Sequence, residues 1–394
     1  MKRLLLILTL VCFAISGWAE QITREQALRQ AQQFLSKNGK GALLTTAETS
    51  MSKARRRSQQ VPDYYYVFNA GQDQGYVIVS GDDRTEPILG YSYHGTFDVD
   101  KIPCNMAAWL QGYADQIKYI QEHPEVQVTR GDVPIHATVP DMITTKWNQT
   151  SPYNDLLPEY GGKKCVTGCG PTAMAQIMNY YGAPTSTLQD IPAYTTSQHG
   201  ISCESLPVTT FNWGNMESDN AEVAKLMKYC AYAVQADFDP DGTSSSTNII
   251  CDAFTHYFGY GNGIVTAFSR FYSDVEWDQM IYSELANGRP VFYSGQNAKN
   301  EGHFFILHGY NAGYYTVNWG WGSLDDGQFL LNAMNPASMG SGNGFNYTQA
   351  AILCISPNNV RAAEEPILTA EDVYVGPTGA NPQASSSTEF VGTR

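Results

Sequence analysis

Residues 165–181 read CVTGCGPTAMAQIMNYY, and whether either of these two thiols is a nucleophile decides what kind of protein the chain is. Gly168 and Gly170 flank Cys169, Pro171 falls in a first turn that tolerates proline, and Met174, Ile177, Met178 and Tyr181 recur at helical spacing. Gly182 and Pro184 end the pattern. The spacing thus predicts a helix with Cys169 at its N-terminus. There the orphan N–H groups and the positive end of the helix dipole favour an anion, so a thiolate is expected; Cys165, a turn upstream, lies outside that field. A cysteine at a helix start is also an ordinary core or disulfide residue, so the helix alone assigns no chemistry.

A nucleophilic thiol needs a proton-transfer partner, and the chain offers seven histidines. His94 and His123 fall in the N-terminal part, and His136, His199 and His256 sit in unremarkable surroundings. The stretch GHFFILHGY, residues 302–310, reads as a buried strand. On a strand His303 and His308 face opposite sides, so the pair cannot share one metal ion and no metal site is expected from it. The next strand, YYTVNWGWG, ends on Asn318, a residue able to orient an imidazole, with Trp319 and Trp321 behind it to shield that hydrogen bond. His303 follows Cys169 by 134 residues and Asn318 follows it by 149. Both intervals match the roughly 130–150 residues by which His and Asn follow the cysteine in papain-like enzymes. Order and spacing together imply a Cys169/His303 pair that attacks a peptide carbonyl, passes through an acyl-enzyme, and needs no metal or organic cofactor.

These segments resemble the streptopain family of secreted bacterial cysteine proteases, papain-like in fold. GCGPTAMAQIMNYY is similar to that family's nucleophile helix, GHFFILHG to its histidine strand, and VNWGWG with DGQF to its asparagine–tryptophan segment; the likeness runs over residues 140–356. The resemblance implies Cys169 as nucleophile, His303 as base, Asn318 as orienting residue with Trp319 beside it, Gly302 as a source of backbone hydrogen bonds to substrate, and Ser244 as a substrate-contacting serine. It implies a mobile loop at 339–344. Two positions depart from the pattern. Ser294 stands where the family has a glutamine, with Gln296 two residues on, and Lys163 stands where papain has its glutamine donor; the Cys169 N–H remains one oxyanion donor and the second is open.

Around this core the chain divides by composition. MKRLLLILTLVCFAISGWAE has the basic start, apolar stretch and small residues of a secretory signal over 1–19, too short to span a bilayer, so an exported protein is expected. Removing it takes Cys12 and leaves seven cysteines; Cys165, Cys203, Cys230 and Cys251 are candidates for disulfides of unassigned pairing. Thr23 with Gln26 signals a capping box for a helix ending at Gly39; Thr45 to Gln60, with Arg55, Arg56 and Arg57, reads as a loop; YYYVFNA, GYVIVSG and EPILGYSY read as three antiparallel strands; a second helix spans Asn105 to Glu122. Residues 20–123 are expected to be a compact α+β unit. PEVQVTRGDVP reads as a linker with Arg130 as a basic cleavage site, and 357–394 as a tail or the start of a further region.

By resemblance, 20–130 is an inhibitory propeptide, 131–356 is the catalytic domain, and Asn105 reaches into the site and displaces the catalytic histidine. On its residues alone Asn105 also suits a helix cap. The expected architecture is α+β, a papain-like domain with a helical part and an antiparallel-sheet part behind a small α+β propeptide. With 38 acidic against 24 basic residues and a net charge of −14, nucleic acid and anionic membrane are disfavoured as partners; polypeptide substrates and the chain's own propeptide are expected instead. An acyltransferase or amidase using the same Cys–His–Asn set and an inactive binding protein on this fold are the competing readings. The separate propeptide and the three filled catalytic positions favour the protease.

Overall fold

The computed structural model describes residues 21–40, 44–47, 64–125, 133–261, 263–296, 302–333 and 349–357. The proposed signal, Arg55–Arg57, Arg130, the 339–344 loop and the tail lie outside the described residues.

The N-terminal part begins with α1 (Arg24–Lys37), held by the expected capping box, in which the Gln26 N–H donates to Thr23 Oγ1 and the Thr23 N–H to Gln26 Oε1. Its apolar stripe, Ala27, Ala31 and Leu35, packs on one face of an antiparallel meander. That meander is β1 (Leu44–Thr46), β2 (Tyr65–Ala70), β3 (Tyr76–Ser80) and β4 (Ile88–Ser92). The strand at Leu44–Thr46 corrects the loop expected from Thr45: its backbone pairs with β2, an edge position that a polar LTT can occupy without an apolar face of its own. Helix α2 (Cys104–Glu122) covers the opposite face. Pro103 is its N-cap and provides no side-chain bond, so Asn105, second in the helix, is not the cap.

The remainder contains the ribbon β5 (Glu159–Tyr160) with β6 (Lys163–Lys164), then α3 (Cys169–Tyr181) and the ribbon β7 (Tyr194–Thr195) with β8 (Ser202–Cys203). After α4 (Asn220–Ala233) and α5 (Thr247–His256) come β9 (Val265–Phe268) and α6 (Asp274–Ala286). The chain continues into β10 (Val291–Gln296), β11 (Gly302–Asn311), β12 (Tyr314–Asn318), β13 (Gly327–Phe329) and β14 (Ala350–Leu353).

One ten-stranded antiparallel sheet, in the order β1-β2-β3-β4-β13-β12-β11-β10-β14-β9, joins the two parts. The junction is β4 against β13, with Tyr91 opposite Gln328 and Gly90 opposite Phe329. Alternation along β11 separates two cores. Phe304 and Ile306 enter the core of α3, α4 and α5, whereas Phe305 and Leu307 enter the core of α2 and α6. The N-terminal part is therefore not closed on itself as expected. Of the four rings against Trp109 of α2 among the described residues, those of Tyr293, Phe305 and Trp319 belong to the C-terminal part. Hydrogen bonds from Tyr76 to the Asp325 carbonyl (2.7 Å) and from Ser92 to the Asp326 carbonyl (2.8 Å) also cross the junction.

Cys165, Cys203, Cys230 and Cys251 are thiols and not disulfides. The Cys230 sulfur lies 3.8 Å from Met178 Sδ and the Cys251 sulfur 3.1 Å from Thr266 Oγ1, so each is accommodated by local packing.

Candidate active site

Cys169 is the first residue of α3, and its two glycine neighbours have a packing reason. Gly168 adopts φ +89°, and a Cβ there would stand 2.9 Å from the Thr243 carbonyl oxygen; a Cβ at Gly170 would stand 2.4 Å from Ser245 Oγ. The 243–245 loop thus packs against both sides of Cys169. Over the sulfur opens a cleft of about 1260 Å³, lined by Gln149, Cys169, Ser244, Ser294, Gly302 and His303 among others, with Cys104 of α2 at its wall.

The Phe304 N–H donates to Cys169 Sγ at 3.4 Å. His303, one residue before it and opposite Gly295 on β10, is the one histidine among the described residues lining the cleft. Four others are held elsewhere: His136 by Asp278, His199 by Asp239, His123 by the Tyr119 carbonyl and His256 by the Asp252 carbonyl. His308 falls at a bulge between Leu307 and Gly309 and is buried. Its Nδ1 accepts the Ile143 N–H, and desolvation pushes its pKa down to about 4 against the opposing pull of Asp141, which keeps the ring neutral near pH 7.

Sequence reasoning expected the helix N-terminus to yield a thiolate at Cys169. The structure shows the reverse: burial raises the thiol from 9.0 to about 11, and the Phe304, Gly170 and Cys169 N–H groups offset only part of that. The residue keeps some exposed surface, but its sulfur is enclosed, and desolvation outweighs the helix end. Thiolate is the reactive form, so alkylation of Cys169 in the intact chain is expected to be slow at pH 7 and to rise by about tenfold per pH unit up to pH 10. Mass-spectrometric labelling from pH 6 to 10 checks this, and a plateau by pH 8 would contradict it.

Asn318 is buried and its amide is fully engaged. Nδ2 donates to the Thr145 carbonyl (3.2 Å) and to Gln176 Oε1 (3.3 Å), while Oδ1 accepts from Gln176 Nε2 (2.9 Å) and the Gly320 N–H (2.9 Å). With four bonds made, no capacity is left for an imidazole in this conformation. Trp319 is wholly buried, donates from its indole to the Asp325 carbonyl, and packs on Trp109, Phe305 and Phe329. Ser244, Ser294 and Gly302 are at the cleft wall. Asn105, 1% exposed, donates from Nδ2 to the Trp319 carbonyl at 2.7 Å and the Phe304 carbonyl at 3.2 Å, bridging β11 to the end of β12.

Gln149 was missed by sequence reasoning. It lies 20 residues before Cys169, is buried, and lines the cleft, and among the described residues its Nε2 has no hydrogen-bond partner. A buried amide donor left open on a residue of the same cleft wall is suited to stabilise developing negative charge. A fixed offset from the nucleophile points to Lys163 instead, which stands in an exposed ribbon. The available signal was only a glutamine in coil, WNQT. Among the described residues no group of three or more His, Cys, Asp or Glu could hold a metal, and no helix is long and apolar enough to cross a membrane.

Residues 147–329 match the model of the peptidase C10 family, and residues 19–117 match that of the Spi protease inhibitor. The chain is 30% identical to streptopain of Streptococcus pyogenes over 394 residues, which is 90% of this chain and 98% of streptopain. It is also 30% identical to the thiol protease/hemagglutinin PrtT of Porphyromonas gingivalis over 91% of this chain, and spans 44% of that protein's length. The prointerpain A fragment of Prevotella intermedia superposes with a TM-score of 0.66 at 26% identity, covering 79% of this chain and 99% of that structure.

Proposed function

The chain belongs to the peptidase C10 family of cysteine proteases, and on that premise we propose that it is a self-inhibited zymogen whose Cys169 and His303 hydrolyse polypeptides. One observation carries this assignment: Cys169 and His303 line the same cleft, Cys104 of an N-terminal helix stands at its wall, and Asn105 beside it bonds the Phe304 and Trp319 carbonyls. In the proposed reaction His303 takes the Cys169 proton, and Sγ attacks the scissile carbonyl carbon. The Cys169 N–H and Gln149 Nε2 receive the oxyanion, the imidazolium protonates the leaving amine, and water, deprotonated by His303, releases the acid. No cofactor takes part.

Ser244, Gly302 and Ser294 are proposed to hold the substrate main chain along the cleft. Asn318 and Trp319 are proposed to act at one remove, Asn318 by tying α3 to β12 through Gln176, and Trp319 by presenting the carbonyl that Asn105 occupies in the zymogen. Residues 20–130 form the inhibitor in this reading, and 131–356 the enzyme. Residues 1–19 direct export, so the enzyme meets its substrates outside the cell. The test is intact mass over time for the chain from residue 20 under mild reduction, beside His303→Ala. The wild type is expected to shed a fragment ending near residue 130 while the variant stays whole. If the wild type stays whole on its own and, after added trypsin has cut the linker, still hydrolyses no peptide, the assignment fails.

A further inference from the structure

Residues 241–247 line one stretch of the cleft, and their position depends on a carboxylate outside it. Asp237 and Ser244 exchange backbone hydrogen bonds of 2.9 and 3.2 Å, closing the intervening residues into a loop. Within it Asp239 Oδ1 accepts the N–H of Asp241 (2.7 Å) and of Gly242 (3.1 Å). Asp239 Oδ2 accepts from His199 Nε2 at 2.7 Å and Gln198 Nε2 at 3.3 Å. The imidazole is stacked at 3.8 Å on Tyr160 of the β5–β6 ribbon.

The same loop is tied to the segment that enters α3. The Val166 N–H donates to the Asp239 carbonyl, and Thr243 Oγ1 donates to the Val166 carbonyl at 2.6 Å. The loop then presses on Gly168 through Thr243 and on Gly170 through Ser245. A fixed carboxylate therefore sets how the hydroxyl-rich 243–247 wall stands relative to the sulfur. Loops lacking such a clamp lose part of their binding free energy to ordering when a ligand arrives.

We propose that Asp239, clamped by His199, is a positioning residue for peptide hydrolysis: it pre-sets the 241–247 wall beside Cys169 and so governs affinity for an extended polypeptide main chain. This rests on Cys169 being the nucleophile of the cleft. Neither Asp239 nor His199 touches the reacting atoms, so the effect falls on binding and not on the chemical step.

The experiment uses the full chain after activation, with active sites counted by an irreversible thiol reagent. Wild type, Asp239→Ala and His199→Phe are compared on an eight-residue peptide and on an activated ester of one amino acid. His199→Phe keeps a ring against Tyr160 and removes the hydrogen bond. For the peptide, KM is expected to rise about tenfold in Asp239→Ala and about threefold in His199→Phe, with kcat within about twofold. KM for the ester is expected to stay within about twofold in both. An unchanged peptide KM in both variants overturns the proposal, as does an equal loss on both substrates, which would make Asp239 a general structural residue. If Asp239→Ala yields no titratable sites, His199→Phe decides alone. Wild-type protein that hydrolyses peptide without being titrated at Cys169 would instead refute the nucleophile assignment.

Discussion

Cys169→Ala is expected to leave the fold intact and to lower peptide hydrolysis by the activated enzyme about 10⁴-fold or more. The substitution removes one sulfur at the wall of the cleft, where it accepts from the Phe304 N–H, and in the activated enzyme water entering the cleft can take up that N–H. The thermal midpoint should stay close to wild type. The chemistry has no substitute nearby: Cys165 is fully buried, is absent from the cleft lining, and has its thiol pushed up to about 11 by burial. His303 without a thiol can at best activate water. The comparison is kcat/KM with active protein counted by folded mass; activity within tenfold of wild type would move the nucleophile to another residue, with Cys165 first to be tested.

Trp109→Ala is expected to release the N-terminal part from the cleft in the uncleaved chain. Replacing a buried tryptophan by alanine costs about 3–5 kcal/mol through lost contact and the cavity left behind. Among the described residues, three of the four rings against Trp109 lie on β10, β11 and the residue after β12, so much of that loss weakens docking. At about 1.4 kcal/mol per factor of ten, the undocked fraction should rise about 100-fold or more. Alkylation of Cys169 at pH 7 reports that fraction, because undocking exposes the sulfur and removes much of the desolvation that keeps it protonated. An alkylation rate equal to wild type would show that the Asn105 bonds and the β4–β13 pairing hold the cleft closed without the indole.

The features legible in the sequence are those with short-range signatures. The α3 helix, the capping box at Thr23, the strands around residues 65–92 and the β11 strand all follow from periodicity and turn residues a few positions apart. The Cys169/His303 cleft was legible because order and interval are preserved across papain-like chains. What failed needed three-dimensional context. The β4–β13 pairing joins Tyr91 to Gln328 through a three-residue strand, GQF, too short to show alternation. The thiol's ionisation was misjudged because the helix end is visible in sequence whereas the desolvation that opposes it is not. The Gln176 amide, on the facing helix, is likewise invisible in sequence as the group that engages Asn318 in this conformation. Gln149 and Asp239 come from coil, where no period marks a residue as special.

The pairing of β4 with β13 also bears on the order in which the molecule is made. Strands β2, β3 and β4 are close in sequence and leave the ribosome first, so their meander can form while β13 is still unmade. The strand of the C-terminal half that borders β4 is then laid against an edge already in place, and the entropy of closing so long a loop is met by a preformed template rather than by a searching chain. In the proposed activation, loss of the N-terminal part leaves Gly327–Phe329 as an edge strand with one row of backbone groups bare. On that proposal an activated molecule that unfolds has lost its mould, and its working life is expected to follow how slowly it unfolds rather than how well it refolds.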